Sequence, residues 1–131
     1  FRATGEWNNK NSTVLTSEGL ARKDADGSRA RWVDINGEFR DKGNSGITFF
    51  SHPSNREYPE PMRVWPENQN GVGDVYFEFC PTRHKDWELH PGNLYRLKYR
   101  MLVYDGKIDK ATAERLWNDF AYPPVVNISK K

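Results

Sequence analysis

A histidine, an asparagine, an arginine and a tryptophan lie within one proline-rich stretch of the sequence, residues 52–65. His52 directly follows an apolar run, and an imidazole can act near neutral pH as a general acid, a general base or a metal ligand. Asn55 carries an amide that both donates and accepts, which suits a pair of sugar hydroxyls. Arg63 and Trp65 would share one face of an extended segment, where they could hold a carboxylate or stack on a ring. We therefore predict His52 as the catalytic acid/base candidate and the other three as ligand-binding residues.

The same four side chains also have a structural interpretation, which the sequence leaves open. The His52 ring could bond backbone carbonyls and fix the loop, and Asn55 could form an Asx-type turn. Arg63 could lie at the surface and shield a half-buried Trp65. A catalytic loop differs from a structural one in presenting its polar groups to a shared concavity.

Other residues that could do chemistry are weaker candidates. Glycoside hydrolysis needs two carboxylates at a fixed separation, but solvated loop charges are the favoured interpretation of three glutamates in this region, Glu57, Glu60 and Glu67. A structural zinc site needs four ligands with close-set pairs, whereas the remaining candidates are dispersed: Cys80, His84 and His90. We predict no metal and no cofactor, and a Cys80 side chain that packs as a small apolar group.

Length, charge and hydropathy limit the class of protein. The 131 residues fit one β-rich domain, residues 1–131, with a single core. The net charge is +2 and its signs are interleaved, so the basic stripe of a nucleic-acid-binding protein is absent from the sequence. No apolar run approaches the length of a membrane-spanning helix. The final Lys130 and Lys131 are typical of a solvated tail.

Runs of strand-forming residues between turn signals predict two strands in the first half of the chain. Residues 30–35 form a short strand that ends at the hairpin-type dipeptide Asn36-Gly37, and residues 46–51 form a second strand. Four prolines then predict a shaped loop over residues 52–72, with at most a short strand at 62–65.

The second half of the chain carries the clearest patterns. Residues 74–80 alternate, and residues 94–104 form the strongest predicted strand, with one buried apolar face made of Tyr95, Leu97, Tyr99, Met101 and Val103. One helix follows, capped by Asp109 and stopped by Pro123 and Pro124. The predicted fold is mostly β: an antiparallel β-sandwich, or part of one, with a single C-terminal helix.

Several short segments together resemble a known bacterial family. They are residues 17–20 (SEGL), 31–34 (RWVD), 46–50 (GITFF), 52–55 (HPSN), 58–59 (YP) and 99–106 (YRMLVYDG). They resemble the family labelled "methane oxygenase PmoA", over roughly residues 17–124. The resemblance implies an exported, carbohydrate-related β-sandwich protein whose domain is about twice as long, so that this chain would be its C-terminal part. It implies no catalytic residue, and a methane-oxidising activity is not expected from a chain without a membrane span.

Three functional hypotheses follow. The first is a secreted or periplasmic, carbohydrate-related protein that binds a sugar-like ligand in the loop 52–65. The alternative is a non-catalytic binding or assembly module, whose loop packs against an N-terminal half or another chain. A weaker third is metal-dependent oxidation, suggested only by the family label. A pocket lined by the loop's polar groups would favour the first, and an exposed apolar patch would favour the second.

Overall fold

The computed structural model describes residues 1–128, in which two antiparallel sheets and a C-terminal helix form a mostly β fold. The predicted fold class is therefore confirmed. The strands are β1 (Ser12–Thr16), β2 (Arg29–Ala30), β3 (Trp32–Glu38), β4 (Asn44–Ser51), β5 (Glu60–Val64), β6 (Phe77–Phe79) and β7 (Tyr99–Asp105). The helices are α1 (Arg22–Ala25) and α2 (Lys110–Ala121), with short 3-10 turns at Arg40–Lys42 and Gln69–Gly71.

The two sheets enclose the main core. The four-stranded sheet has the order β1-β3-β4-β7, and the three-stranded sheet has the order β2-β5-β6. Alternation places Val33, Ile35 and Phe49 on the inner face of the larger sheet. They pack against residues of the smaller sheet such as Met62 and Phe77. At the edge of the smaller sheet, residues 1–3 add a short ladder beside β6, with a bridge from Arg2 to Tyr76.

A second core lies on the other side of the four-stranded sheet, beneath α2. Trp32 and Phe50 face the helix there and pack against Ala113 and Trp117. The indole N–H of Trp117 donates to the carbonyl of Ser51 over 2.9 Å, and the indole N–H of Trp32 donates to the Glu114 carboxylate over 2.9 Å. Apolar burial, one buried hydrogen bond and one partly buried hydrogen bond thus hold α2 on the sheet.

The predicted ends of α2 are confirmed. The Asp109 side chain accepts the backbone N–H of Thr112 over 2.7 Å, as an N-cap should. The helix ends at Ala121, shortly before Pro123 and Pro124.

The segment rich in proline is a shaped loop that leads into a strand at Glu60–Val64, slightly earlier than predicted. The connection after β5 is also ordered. A buried Arg22 side chain donates to the carbonyl oxygens of Trp65, Pro66, Gly73 and Asp74. One guanidinium therefore satisfies several backbone acceptors that a buried loop would otherwise leave unpaired.

The predicted hairpin turn at Asn36-Gly37 is wrong. Both residues lie inside β3, which runs on to Glu38 and pairs with β4 throughout. The turn falls at residues 39–43 instead. Gly37 is required for a different reason: a Cβ there would lie 2.6 Å from the ring of Trp7, so the glycine lets the buried indole pack on the strand.

The predicted burial of the last strand is also wrong. β7 begins only at Tyr99, and the apolar side chains of Tyr99, Met101 and Val103 are 42%, 65% and 74% exposed. These residues share the inner face of the sheet with Phe49. The smaller sheet contacts Tyr99, through Phe79 and Glu60, but leaves Met101 and Val103 largely exposed. On the opposite face of β7, Leu102 packs into the core beneath α2.

No helix among residues 1–128 is long and apolar enough to cross a membrane. The predicted tail at Lys130 and Lys131 lies outside the described residues.

Candidate functional site

His52 lies at the end of β4, on the side of the sheet that carries α2. Its Nδ1 accepts the backbone N–H of Ser54 over 3.1 Å, and its ring packs edge-on against Phe120 of α2, with 5.2 Å between centroids. Burial and the nearby Lys98 ammonium lower the pKa of His52. The imidazole is therefore neutral near pH 7 and serves to shape the start of the loop.

Asn55 is buried, with 5% of its surface exposed. Its amide nitrogen donates to Glu60 over 2.9 Å and to the carbonyl of Lys98 over 2.8 Å. Its amide oxygen accepts the backbone N–H of Lys98 over 2.7 Å. The amide thus makes internal hydrogen bonds that connect the loop to the segment before β7. These bonds favour a structural role for Asn55 over ligand binding.

Arg63 and Trp65 do share one face, which is the outer face of the three-stranded sheet. Met62 and Val64, which alternate with them in sequence, pack in the core. The Trp65 ring stacks on Tyr76, with 4.8 Å between centroids, and the guanidinium of Arg2 lies 5.2 Å from the Trp65 centroid. Intramolecular partners therefore already cover much of this ring.

The four predicted site residues do not converge. His52 is on the α2 side of the larger sheet, whereas Arg63 and Trp65 project from the outer face of the smaller sheet, so both sheets and the main core lie between them. Of the five concavities described in residues 1–128, none is lined by any of the four. The dispersed candidates Cys80, His84 and His90 form no cluster of potential metal ligands in the same part of the chain.

Glu60 is the centre of a buried polar network that the sequence interpretation missed. It was expected to be a solvated loop charge, yet its side chain is fully buried. One carboxylate oxygen accepts from Ser51 and Asn55, and the other accepts the hydroxyl of Tyr99 over 2.7 Å. Burial, together with this bond to Glu60, raises the pKa of Tyr99 well above its ordinary value, so the phenol stays a donor. The network fixes where β7 starts.

Beyond Tyr99, β7 forms what we call the open edge, namely β7 with its exposed apolar residues Tyr99, Met101 and Val103. Two apolar concavities lie along it. The first, about 310 Å³, is an aromatic cleft lined mainly by Phe1, Phe49, Phe77, Phe79 and Tyr99. The second, about 370 Å³, is lined among others by Trp7, Phe39, Ile47 and Val103. Phe1 lines both concavities, so they adjoin each other beside β7.

The backbone of the open edge also lacks partners. The N–H of Gly106 donates to Asn44 over 2.7 Å, and the N–H of His52 donates to the carbonyl of Lys98 over 3.2 Å. Hydrogen-bonded pairs alternate along an antiparallel ladder, so even-numbered residues of β7 point their backbone groups at β4. The odd-numbered residues, Tyr99 to Asp105, point theirs outward. Within residues 1–128 no backbone hydrogen bond reaches those groups.

Sequence reasoning placed the residues of the open edge in the core. The period-two pattern shows that a face is apolar, but a covered apolar face and an uncovered one have the same pattern.

A family model matches residues 1–118, with the description "Family of unknown function (DUF6807)". No curated protein and no solved structure matches the chain. The expected assignment to the family labelled "methane oxygenase PmoA" is therefore wrong, because the matching family is a different one and carries no activity in its description. The chain belongs to the DUF6807 family of unknown function.

Proposed function

We propose that this chain is a non-catalytic binding and assembly module that accepts a polypeptide strand on its open edge. One observation carries the proposal: a seven-residue edge strand exposes apolar side chains and outward backbone groups together. Natural sheets normally blunt such edges with proline, lysine or a bulge. β7 contains none of these, and its one basic residue, Arg100, lies over the Phe120 ring on the helix side.

An added strand would gain from both features of the edge. Its backbone would pair with the outward N–H and C=O groups of β7, which supplies affinity in strand addition. Its alternate side chains would fill the two apolar concavities and cover Met101 and Val103. Full burial of a side chain of this kind contributes roughly 1.5–3 kcal/mol, so a short strand has enough surface for stable binding.

The polar groups near the edge support binding rather than catalysis. Glu60, Asn55 and the Tyr99 hydroxyl are all used in hydrogen bonds with one another or with the backbone. Such a satisfied network holds β7 rigid before any partner arrives, which reduces the entropy lost on association.

The test uses a labelled synthetic peptide of alternating valine and threonine, and a second peptide with a central proline that cannot pair. We expect the first peptide to bind the wild-type chain in fluorescence anisotropy and the proline peptide to bind far more weakly. Met101→Glu should abolish binding because it places a charge on the exposed apolar face that the peptide would cover. Leu89→Glu is the matched control, since Leu89 is 61% exposed but lines neither of the two concavities beside β7. A monomeric chain that leaves the first peptide unbound, or Met101→Glu binding as well as wild type, would contradict the proposal.

A sugar-like ligand is the second candidate, and the aromatic cleft favours it. Its volume of about 310 Å³ falls at the lower end of the range for small-ligand sites. A thermal-shift panel of oligosaccharides tests it, because a ligand at a hundred times its dissociation constant adds about 2.7 kcal/mol of stability. A shift lost in Phe79→Ala supports the cleft, a shift lost in His52→Ala supports the loop 52–65, and a flat panel rejects both. Export to the periplasm or the medium remains a prediction, checked by fractionation of the native cells.

A further inference from the structure

We infer that the strand accepted by the open edge is β7 of a second copy, so that two four-stranded sheets join into one continuous sheet. The inference rests on the proposed function and names its partner. It makes a closed two-fold dimer in which the same surface of each copy meets the other.

The outward backbone groups of β7 are arranged symmetrically about Leu102. In an antiparallel pair with Leu102 opposite its counterpart, Met101 faces Val103 and Tyr99 faces Asp105. Every outward N–H and C=O of β7 then has a partner in the other copy, because the outward residues pair only with outward residues. A shift of the register by two residues leaves groups at the strand ends unpaired.

The side chains fit the same register. Arg100 of each copy meets Tyr104 of the other rather than the second Arg100, so like charges are not opposed across the pair. Asp105 of each copy lies opposite Tyr99 of the other, so like charges are not opposed on the other face of the sheet either. The exposed apolar residues Met101 and Val103 come together as cross-strand pairs.

The edge is accessible for this pairing. Helix α2 packs mainly on β3 and β4, and its contacts with β7 are on the face of Arg100 and Leu102. The residues that lead into and out of the strand, Lys98 and Gly106, are bonded toward β4 or its end. The Tyr99 hydroxyl is anchored to Glu60, so the start of β7 is held in place for the partner.

Cysteine cross-linking tests the register directly. In a Cys80→Ser background, Leu102→Cys places the two new thiols at a non-hydrogen-bonded pair with Cα atoms about 4.5 Å apart, within the range of about 4.4–6.8 Å that a disulfide needs. We expect rapid formation of a covalent dimer under mild oxidation. The matched control is Arg100→Cys. Position 100 of one copy is opposite position 104 of the other, so the two new thiols are about 13 Å apart along the strand. It should remain largely uncrosslinked.

A second variant keeps the inference testable if Leu102→Cys does not fold. The Val103 N–H points outward, so Val103→Pro removes a donor of the edge without breaking a bond to β4, and proline is tolerated on edge strands. In sedimentation equilibrium the native chain should approach twice the monomer mass on concentration, and Val103→Pro should stay monomeric with unchanged far-UV circular dichroism.

A native chain that is monomeric throughout a dilution series, or equal cross-linking of Leu102→Cys and Arg100→Cys, overturns the second-copy inference. A monomer that still binds the valine–threonine peptide leaves the proposed function standing. A monomer that does not bind the peptide contradicts both the second-copy inference and the proposed function.

Discussion

The two faces of β7 carry similar apolar residues but have different surroundings. Leu102 lies beneath α2, in a core that also holds Trp32 and Trp117. Met101 and Val103 are its immediate neighbours in sequence, and both project into the open beside two apolar concavities. Residues 1–128 cover one face of β7 and leave Met101 and Val103 on the other face largely exposed. The comparison supports the proposal that the uncovered face binds a partner, since an exposed apolar patch of this kind is typical of interaction sites.

The largest expected difference between the faces is in stability. Trp117→Ala removes a buried ring and its bond to Ser51, and should lower the free energy of unfolding by about 3–5 kcal/mol. Met101→Ala should change it by less than about 0.5 kcal/mol at a dilution where the chain is monomeric. Urea unfolding measures both. A large loss for Met101→Ala in the monomer would mean that the open face is covered within a single chain.

The buried network that positions β7 should show the next largest effect. Glu60→Ala leaves the donors of Asn55 and Tyr99 unsatisfied, and should lower the free energy of unfolding by about 3 kcal/mol. Glu60→Gln is the control, because its carbonyl oxygen still accepts a bond and the loss should be smaller. If urea unfolding shows the same loss of stability for Glu60→Ala and Glu60→Gln, the network does not depend on a hydrogen-bond acceptor at position 60.

On the covered face, the ion pair of Arg31 with Glu114 should make stability depend on pH. Burial raises the pKa of Glu114, but hydrogen bonds from Arg31 and Trp32 outweigh it and hold the pKa below the usual 4.5. A carboxyl with a lowered folded-state pKa stabilises the fold above its unfolded-state pKa, and this contribution is lost as pH falls through the folded-state pKa.

Glu114→Gln should therefore cost about 0.5–1 kcal/mol at pH 7 and little in acid. Thermal unfolding across this pH range measures the difference, with the exposed Glu88→Gln as control. A cost that stays constant with pH would contradict the assignment.

Asp34 should show the opposite sign and the smallest effect. It lies on the covered face, where burial raises its pKa despite hydrogen bonds from Thr48 and Tyr104. Its contribution is therefore most favourable below the unfolded-state pKa and is lost as pH rises through the folded-state pKa. Asp34→Asn keeps an accepting oxygen and should raise stability at pH 7 by up to about 1 kcal/mol. If Asp34→Asn destabilises the fold at pH 7 but not in acid, the prediction of a raised Asp34 pKa is contradicted.

The sequence predicted the parts of the fold that depend on local patterns. A run of strand-forming residues located the strand at residues 46–51, and helical spacing with Asp109 as the cap located α2. It could not predict which faces are covered, because that depends on the extent of the second sheet. It also mistook Asn36-Gly37 for a turn, since the close approach of Trp7 to Gly37 is a tertiary contact.

The predicted site illustrates a further limit of local reasoning. His52 and Asn55 do lie in a shaped loop, and Arg63 and Trp65 do share a face. The four residues do not form one site, because the outer face of β5 points away from α2. Residues that are close in sequence therefore lie on opposite sides of the molecule. The burial of Glu60 needed three partners from β4, the loop and β7, and no spacing rule in the sequence brings those together.

The most direct test of the open edge is residue-level amide hydrogen exchange on the native chain as its concentration increases. The N–H groups of Leu102 and Tyr104 point at β4 and should be protected at every concentration. Those of Met101 and Val103 point outward, and the account predicts that they become protected as the chain associates. If the outward amides exchange freely at all concentrations while the inward ones are protected, no second copy pairs with β7. If they also exchange freely in the presence of the valine–threonine peptide, the proposal that β7 accepts a strand is contradicted.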